Sequence, residues 1–230
     1  PLKNNIETNA YRLFNGPGDN LGGITIDEYD GYVVISYYNE TIYELKNLIE
    51  GSLKKAYELV FKKKLLGLVE KNRYGGNWPE SQLVEGDLPE SFLIKENGLN
   101  YRVYLNEGLM TGIFLDQRKV RESLLKKYGK NKRVLNTFSY TGAFSVPCIA
   151  AGAKETTSVD LAKRSRKKTE EQFLANEFDL SREKIYVMDI FAYFSYAQKK
   201  GLGYDLIILD PPSFARNKKK TFSAKKDYHE

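Results

Sequence analysis

The hydrophobic pattern of the chain changes near residue 112. Before that point, short segments rich in β-branched and aromatic residues, separated by turn signals such as Asp30-Gly31, predict strands. They lie at 11–14, 23–29, 32–38 and 65–70, with a hairpin over 92–104. Apolar residues at helical spacing predict an amphipathic helix over 43–61, and the polar segment 71–91, which contains Gly and Pro, predicts a loop. Residues 1–108 are therefore predicted to form a small α+β domain.

Beyond residue 112, predicted helices and strands alternate. The strands are expected at 133–136, 155–160, 185–188 and 205–209, and the helices at 116–128, 144–151, 162–176 and 191–200. This alternation is typical of a parallel sheet with right-handed crossovers, so residues 109–230 are predicted to form a Rossmann-like α/β domain. Four strands are fewer than the six of a dinucleotide-binding sheet. We therefore expect a sheet that is incomplete at its C-terminal side.

Composition narrows the class of protein. A chain of 230 residues with 41% hydrophobic content can bury a sizeable core. No apolar run approaches the roughly 20 residues that span a bilayer, and the N-terminus lacks the pattern of a signal peptide. The single cysteine, Cys148, excludes an intramolecular disulfide framework. These features predict a cytoplasmic protein without a membrane partner, and no metal site is predicted.

Charge is distributed unevenly along the chain. Residues 1–105 contain 12 Lys and Arg against 15 Asp and Glu, whereas residues 106–230 contain 24 against 15. A positive surface around a site favours a polyanionic partner such as nucleic acid, since neutralising phosphates gives affinity without sequence preference. The alternative is a solvated surface rich in lysine.

The segment VLNTFSYTGAFSVPCIAAGAKETTSVD resembles a nucleotide site. It contains a predicted strand, a turn of small polar residues with Gly142, a helix and a second strand that ends in Asp160, 18 residues after the glycine. In such sites the terminal acid accepts hydrogen bonds from ribose hydroxyls. The glycines do not follow G-x-G-x-x-G, which disfavours NAD and favours S-adenosylmethionine (SAM), a ligand with ribose but no pyrophosphate. A structural β-turn-α unit is the alternative. The candidate cofactor residues here are Asn136, Phe138, Ser139, Tyr140, Gly142 and Asp160.

Two further segments contain candidate cofactor residues. Asp189 follows the third strand and is placed to accept the adenine amine, with Ile190 or Phe191 against the ring, although aspartate is also a good helix N-cap. In the FLDQR segment, Phe114 could pack on an adenosine and Arg118 could bind a carboxylate. A helix cap and a surface cation are the structural alternative for FLDQR.

The last predicted strand ends in Asp210-Pro211-Pro212. Enzymes that methylate a base amine place an acid or amide, two prolines and an aromatic in direct succession. Here Ser213 separates Pro212 from Phe214, which fits that pattern less well. Methylation of cytosine C5 instead requires a thiolate that adds to C6, with an acid that polarises the ring. Asp210 could be this acid, but Cys148 lies in an apolar helix and is predicted to be a buried core residue.

Six motifs, taken in chain order, together resemble one family. They are FLDQR, NTFSYTGAFS, SVDLAKRSRKKTEEQFLANEFD, VMDIF, LDPPSFARNKK and KKDYHE. They are similar to the class I SAM-dependent methyltransferases of the large-subunit ribosomal RNA cytosine-C5 type, the family of ribosomal RNA large subunit methyltransferase I. The segment YRLFNGPGDNLGGITIDEYDGYVVISYY resembles the central α+β domain of that family. Members usually begin with a PUA RNA-binding domain and place a nucleophilic cysteine in an FSCS segment, and this sequence contains neither.

The resemblance implies a SAM-dependent RNA methyltransferase that acts on cytosine C5 of 23S ribosomal RNA, with residues 1–108 recognising the RNA substrate. It implies that Asp210 and Pro211 face the target base and that SAM lies against the cofactor residues named above. Five lysines are the candidate RNA contacts: Lys218, Lys219, Lys220, Lys225 and Lys226. A base-amine RNA methyltransferase and a non-catalytic RNA-binding module remain alternatives. The sequence does not fix the oligomeric state, and a homodimer is one option.

Overall fold

The chain forms two compact units. The computed structural model describes residues 2–76, 78–216 and 221–227. The units are Pro1–Asp116 and Gln117–Glu230, so the division falls after Asp116, where the sequence predicted a boundary after residue 108. Among the described residues, every helix is too short or too polar to cross a membrane.

The first unit contains a five-stranded sheet with its strands in sequence order. The strands are β1 (Ala10–Phe14), β2 (Ile24–Tyr29), β3 (Tyr32–Tyr37), β4 (Gly67–Asn72) and β5 (Ser81–Gly86). Strands β3 and β4 are parallel and are connected through helices α1 (Glu40–Glu44) and α2 (Lys46–Phe61), whereas the other neighbours are antiparallel. This arrangement confirms the predicted α+β class of the first unit.

Two hairpins turn where the sequence predicts them. Asp30 and Gly31 join β2 to β3 with φ angles of 51° and 102°. Asn97 and Gly98, with φ angles of 53° and 79°, join β6 (Phe92–Glu96) to β7 (Leu99–Val103), a separate two-stranded sheet. Positive φ at both central residues matches the right-handed twist of the flanking strands, which explains the Asp-Gly and Asn-Gly pairs.

The prediction of a loop over 71–91 is wrong in part. Strand β4 extends to Asn72, and β5 lies inside the segment, paired antiparallel with β4. Strand β5 is an edge strand, and none of its six residues is fully buried. Because an edge strand of this kind needs only a weak apolar alternation, its pattern was not distinguished from that of the surrounding polar residues.

A buried carboxylate lies in the core of the first unit. The core packs Ile35, Leu68 and neighbouring strand residues against Tyr57 of α2. Glu28 of β2 is 3% exposed, and its Oε1 accepts hydrogen bonds from the Gly31 amide at 2.7 Å and the Tyr57 hydroxyl at 2.9 Å. Burial raises the pKa of the Glu28 carboxyl above its usual range, although these two hydrogen bonds act in the opposite direction. Glu28 therefore connects the β2–β3 turn to helix α2 at the cost of burying a charge.

Substituting Glu28→Gln should remove the pH dependence that the Glu28 carboxyl gives to the stability of the first unit. The amide oxygen can keep both hydrogen bonds, whereas Nε2 takes the place of Oε2, a buried atom without a hydrogen-bond partner among the described residues, at a cost that does not change with pH. The folded-state pKa of Glu28 is raised, so wild-type stability falls as pH rises from the unfolded pKa through the folded pKa. The free energy of unfolding of Glu28→Gln relative to wild type should therefore rise by on the order of 1 kcal/mol as pH increases from about 4 through the folded-state pKa. Urea denaturation, monitored by the fluorescence of Trp78, the only tryptophan, measures this change in the free energy of unfolding.

The matched control is Glu58→Gln, which changes an exposed glutamate on α2. Its free energy of unfolding should stay within about 0.5 kcal/mol of wild type. A stability difference between Glu28→Gln and wild type that stays constant or falls as pH rises above about 4 would show that ionisation of Glu28 does not destabilise the folded unit.

The second unit contains a four-stranded sheet in the order β10-β9-β8-β11, and all neighbouring strands are parallel. Its main elements are α3 (Arg118–Ser123), β8 (Arg133–Thr137), α4 (Ser145–Ala150), β9 (Glu155–Asp160), α5 (Lys163–Leu174), β10 (Glu183–Val187), α6 (Ile190–Lys199) and β11 (Leu206–Leu209). These four strands and four helices confirm the predicted Rossmann-like α/β layout.

Both faces of this sheet are covered. Leu135 of β8 packs with Ile190 and Tyr193 of α6, whereas its neighbour Val134 packs with Cys148 of α4. Successive residues of a strand face opposite sides, so α6 and α4 cover opposite faces. Residues buried on both faces explain why this strand lacks alternation in its sequence.

The sequence did not predict the elements that follow β11. Strands β12 (Phe214–Arg216) and β13 (Thr221–Ser223) form an antiparallel pair, and helix α7 (Ala224–Asp227) follows. Each strand has three residues, which is too short for a periodic pattern.

Candidate cofactor site

The four parallel strands of the second unit end at one edge of the sheet. The chain passes from the inner strand β8 to β9 and β10 on one side, then crosses to β11 on the other. Such a switch in direction opens a crevice at the carboxyl ends of the strands. Asp160 ends β9, Asp189 comes two residues after β10, and Asp210 directly follows β11. The fold therefore brings the three predicted acids to the same edge.

The Asp160 carboxylate connects two loops at this edge. Its Oδ2 accepts a hydrogen bond from the Tyr140 amide at 2.8 Å, and its Oδ1 accepts one from the Ala162 amide at 2.8 Å. Burial raises the pKa of Asp160, while these amides and the charge of Arg164 act in the opposite direction. Each carboxylate oxygen has two lone pairs, so Asp160 can still accept hydrogen bonds from ligand hydroxyls.

The loop after β8 uses its amides internally. The Ser139 amide donates to the Val159 carbonyl at 3.0 Å, the Tyr140 amide donates to Asp160, and the Gly142 amide donates to the Ser139 carbonyl at 2.7 Å. A phosphate cradle requires backbone amides that point at the ligand. These three amides are committed elsewhere, which supports the sequence argument against a dinucleotide.

Backbone strain is concentrated in the same loop. Phe138 and Tyr140 have φ angles of 50° and 52°, in the left-handed region that costs roughly 1–2 kcal/mol for a residue with a side chain. The hydrogen bond from the Tyr140 amide to Asp160 offsets part of this cost. Strained residues of this kind cluster at ligand sites.

Asn136 lies beneath the loop. It is fully buried in β8, and its Nδ2 donates to the Ser145 Oγ at 3.0 Å. The Ser145 Oγ in turn shares a hydrogen bond of 2.8 Å with the Ser158 Oγ of β9. These contacts give Asn136 a structural role in holding α4 to the strands.

Gly142 is required by packing as well as by backbone conformation. Its φ is +75°, and a Cβ at this position would lie 2.6 Å from the Cγ2 of Thr169 on α5. Thr169 is fully buried, so it has little room to move. The glycine therefore lets the loop pack closely on α5, a role that the sequence did not indicate.

Asp189 is the N-cap of helix α6. Its Oδ1 accepts hydrogen bonds from the amides of Phe191 at 3.1 Å and Ala192 at 3.2 Å. Ile190 is 6% exposed, and Phe191 is partly buried against the same core. The capping role that the sequence offered as an alternative is present, and contact of Asp189 with a ligand amine stays a prediction.

Asp210 and Pro211 lie on the far side of the crevice. Asp210 is exposed beyond the end of β11, and Pro211 is partly buried. The Thr137 hydroxyl donates to the Ile208 carbonyl at 2.9 Å, which fixes the end of β11 to β8. Cys148 is fully buried, and burial raises the pKa of its thiol to about 12, in agreement with the predicted core role.

The other predicted residues belong to other elements of the chain. Phe114 belongs to the first unit and is 42% exposed, whereas Arg118 begins α3 in the second unit. Their role in cofactor binding stays a prediction. Lys218, Lys219 and Lys220 lie outside the described residues, while Lys225 and Lys226 lie on α7.

Two residues at this edge were missed by the sequence reasoning. Leu161 directly follows Asp160 and is 42% exposed, so an exposed apolar side chain adjoins this acid. Phe222 is 8% exposed, and its ring centroid lies 5.4 Å from that of Phe138. The position of Leu161 after the acid was a readable signal, whereas the contact of Phe222 depends on tertiary packing.

Substituting Gly142→Ala should destabilise the second unit by about 2–4 kcal/mol, the combined cost of a positive φ and of the clash with Thr169. The double variant Gly142→Ala, Thr169→Ser should recover part of this loss, because serine lacks the Cγ2 atom. Gly152→Ala is the matched control, since Gly152 has a φ of +85° and no atom within 4 Å of an added Cβ. Scanning calorimetry measures all three. Equal losses for Gly142→Ala and Gly152→Ala would show that the contact with Thr169 is unimportant.

Comparison with known proteins identifies the family. Residues 11–230 match the family described as S-adenosylmethionine-dependent methyltransferase. The chain is 54% identical over 226 residues to YwbD of Bacillus subtilis (strain 168), which is provisionally named a ribosomal RNA large subunit methyltransferase. It is 32% identical over 231 residues to ribosomal RNA large subunit methyltransferase I of Aeromonas salmonicida (strain A449). These matches cover 96% and 99% of this chain but only 56% and 57% of the relatives, so the chain spans little more than half of their length.

A solved structure supports the same assignment. The crystal structure of SMU.776 complexed with S-adenosylhomocysteine (SAH) superposes with a TM-score of 0.90 at 50% identity, covering 97% of this chain and 56% of that one. The fold expected from the sequence is thus confirmed, together with SAM as the cofactor of the family. The chain belongs to the family of S-adenosylmethionine-dependent methyltransferases.

Proposed function

We propose that this chain provides the SAM-binding and target-binding edge of a methyltransferase that acts on C5 of a cytosine in large-subunit ribosomal RNA. The observation that carries the proposal is the placement of Asp160, Asp189 and Asp210 at one sheet edge, beside a loop whose amides do not form a phosphate cradle. The names of the two relatives support ribosomal RNA as the substrate class.

In this proposal, Asp160 and Asp189 contact different parts of the cofactor. The Asp160 carboxylate accepts hydrogen bonds from the ribose hydroxyls, and Asp189 accepts one from the adenine amine while it caps α6. Leu161, exposed beside Asp160, packs on the adenine ring. These residues would hold SAM, which would supply the methyl group for transfer to a base at Asp210.

Asp210 and Pro211 hold the target base. Cytosine C5 is a weak carbon nucleophile, so the ring must first be activated by addition of a thiolate to C6. An acid near N3 and the exocyclic amine stabilises the charge that develops during this addition. Asp210 is exposed and follows a strand, and Pro211 fixes the direction in which the chain leaves it.

The nucleophile of this reaction is not Cys148. A fully buried thiol with a pKa near 12 is neither accessible nor ionised at neutral pH. Because Cys148 is the only cysteine, C5 chemistry requires a thiol from outside these 230 residues. This requirement is the observation that favours a second candidate, methylation of a base amine by Asp210 and Pro211 without a thiol.

Basic residues provide the RNA contacts in this proposal. The second unit contains 24 Lys and Arg against 13 Asp and Glu, whereas the first contains 12 against 17. Lys225 is exposed on α7, shortly after the segment that follows Asp210. Lysines at this position neutralise RNA phosphates, and their contribution weakens as salt rises.

The cofactor assignment is tested by calorimetric titration of SAM into the chain. Asp160→Asn should weaken SAM binding roughly 10- to 100-fold, because a hydrogen bond to a charged group contributes about 1.5–3 kcal/mol. Asp179→Ala is the matched control, since Asp179 also accepts a backbone amide hydrogen bond but precedes β10, at the opposite end of the strands. Equal affinities for wild type and Asp160→Asn would refute the role of Asp160.

The reaction is tested by product analysis on large-subunit ribosomal RNA. The chain is compared with a fusion to the part of the Bacillus subtilis relative that follows its match. We expect 5-methylcytidine from the fusion, none from the chain alone, and a rate at least about 100-fold lower for the fusion with Asp210→Asn. Cytidine methylated on the exocyclic nitrogen, formed by the chain alone, would contradict the C5 mechanism and establish the amine alternative.

A further inference from the structure

The β12–β13 hairpin connects the target side of the crevice to the cofactor side. It begins one residue after Ser213, at the end of the segment that starts with Asp210. Its strands pair in the register Phe214 with Ser223 and Arg216 with Thr221, and the Ala224 amide donates to the Ser213 carbonyl at 3.1 Å. The hairpin is therefore closed at the point where the chain leaves Asp210-Pro211-Pro212.

The two phenylalanines of the hairpin have opposite environments. Phe214 is 72% exposed, whereas Phe222 is 8% exposed. Phe222 is the neighbour of Ser223, which pairs with Phe214, so the two rings point to opposite faces of the hairpin. One face is thus open to solvent, and the other is packed onto the unit beneath it.

Phe222 packs against the loops that follow β8 and β10. Its ring centroid lies 5.4 Å from that of Phe138, the first residue after β8, and 6.1 Å from that of Phe191, two residues after Asp189. Phe138 is one of the strained residues of the Asp160-linked loop, with a φ of 50°. A single side chain thus joins both proposed adenosine-binding loops to the segment that holds the target base.

We propose that Phe222 is a positioning residue that couples cofactor binding to the placement of Asp210. Ligand at Asp160 and Asp189 fixes the loops of Phe138 and Phe191, and their rings then fix Phe222 and with it the hairpin. By linkage, a hairpin held in place by substrate strengthens cofactor binding by the same factor. This proposal rests on the proposed function, but the coupling itself can be measured without RNA.

The test is hydrogen–deuterium exchange of the amides in β12 and β13, with and without saturating SAH. In wild type, SAH should slow this exchange by about tenfold, within the usual range of coupling between sites. Phe222→Ala should reduce the effect to less than about twofold, and Phe222→Leu should restore most of it. Phe214→Ala is the matched control, because it removes the same ring from the exposed face and should keep the full effect. SAH affinity is measured for each variant so that saturation is equal.

Each outcome supports or overturns the coupling through Phe222. SAH that binds wild type without slowing exchange in the hairpin overturns the coupling, as does a Phe222→Ala variant with undiminished protection. If Phe214→Ala loses protection to the same extent, the effect belongs to the hairpin in general, and the role of Phe222 is refuted. If Phe222→Ala does not fold, the result for Phe222→Leu against wild type decides. Absence of SAH binding overturns both this proposal and the cofactor site, whereas absence of RNA methylation affects only the proposed function.

Discussion

The strand edge of the second unit depends on the hydrogen bonds of one partly buried carboxylate. Asp160 accepts the amides of Tyr140 and Ala162, so it connects the loop after β8 to the start of α5. Without Asp160, two amides would lose a charged partner, and the positive φ of Tyr140 would lose the hydrogen bond that stabilises it. Burial raises the pKa of Asp160, which means that the folded site bears a desolvation cost. Ligand hydroxyls that donate to this carboxylate would offset that cost, so the group that shapes the site also favours ligand binding.

The sequence predicts the positions of the acids because they depend on local signals. Asp160, Asp189 and Asp210 each follow a short apolar or β-branched segment, and alternation of strands with helices implies a parallel sheet. Parallel strands bring their carboxyl ends to one edge, so the sequence alone predicts that these three residues, 20 to 30 positions apart, lie at the same edge. Their hydrogen bonds could not be predicted, because the partners belong to loops whose conformation depends on packing.

Features that depend on tertiary contacts escaped prediction. The packing of Gly142 against Thr169 on α5 was not indicated by the sequence. Neither was the burial of Asn136 or its hydrogen bond to Ser145. In each case the deciding partner lies on another element, at a distance in sequence that pattern analysis does not connect. The short strands β5, β12 and β13 escaped for a related reason, since they gain stability from a neighbouring strand rather than from their own periodicity.

Burial of the only thiol constrains the chemistry available to this chain. The environment that makes Cys148 a good core residue, tight packing with Val134 and Leu124, is the one that keeps its thiol protonated. A methyl transfer that needs a thiolate must obtain it from outside these residues, while a transfer to an amine needs only an acceptor near the amine. Both proposed reactions use Asp210 as the acid, so they differ in their need for a thiol. The C5 reaction requires a thiol that enters the crevice beside the exposed end of β11, whereas the amine reaction does not.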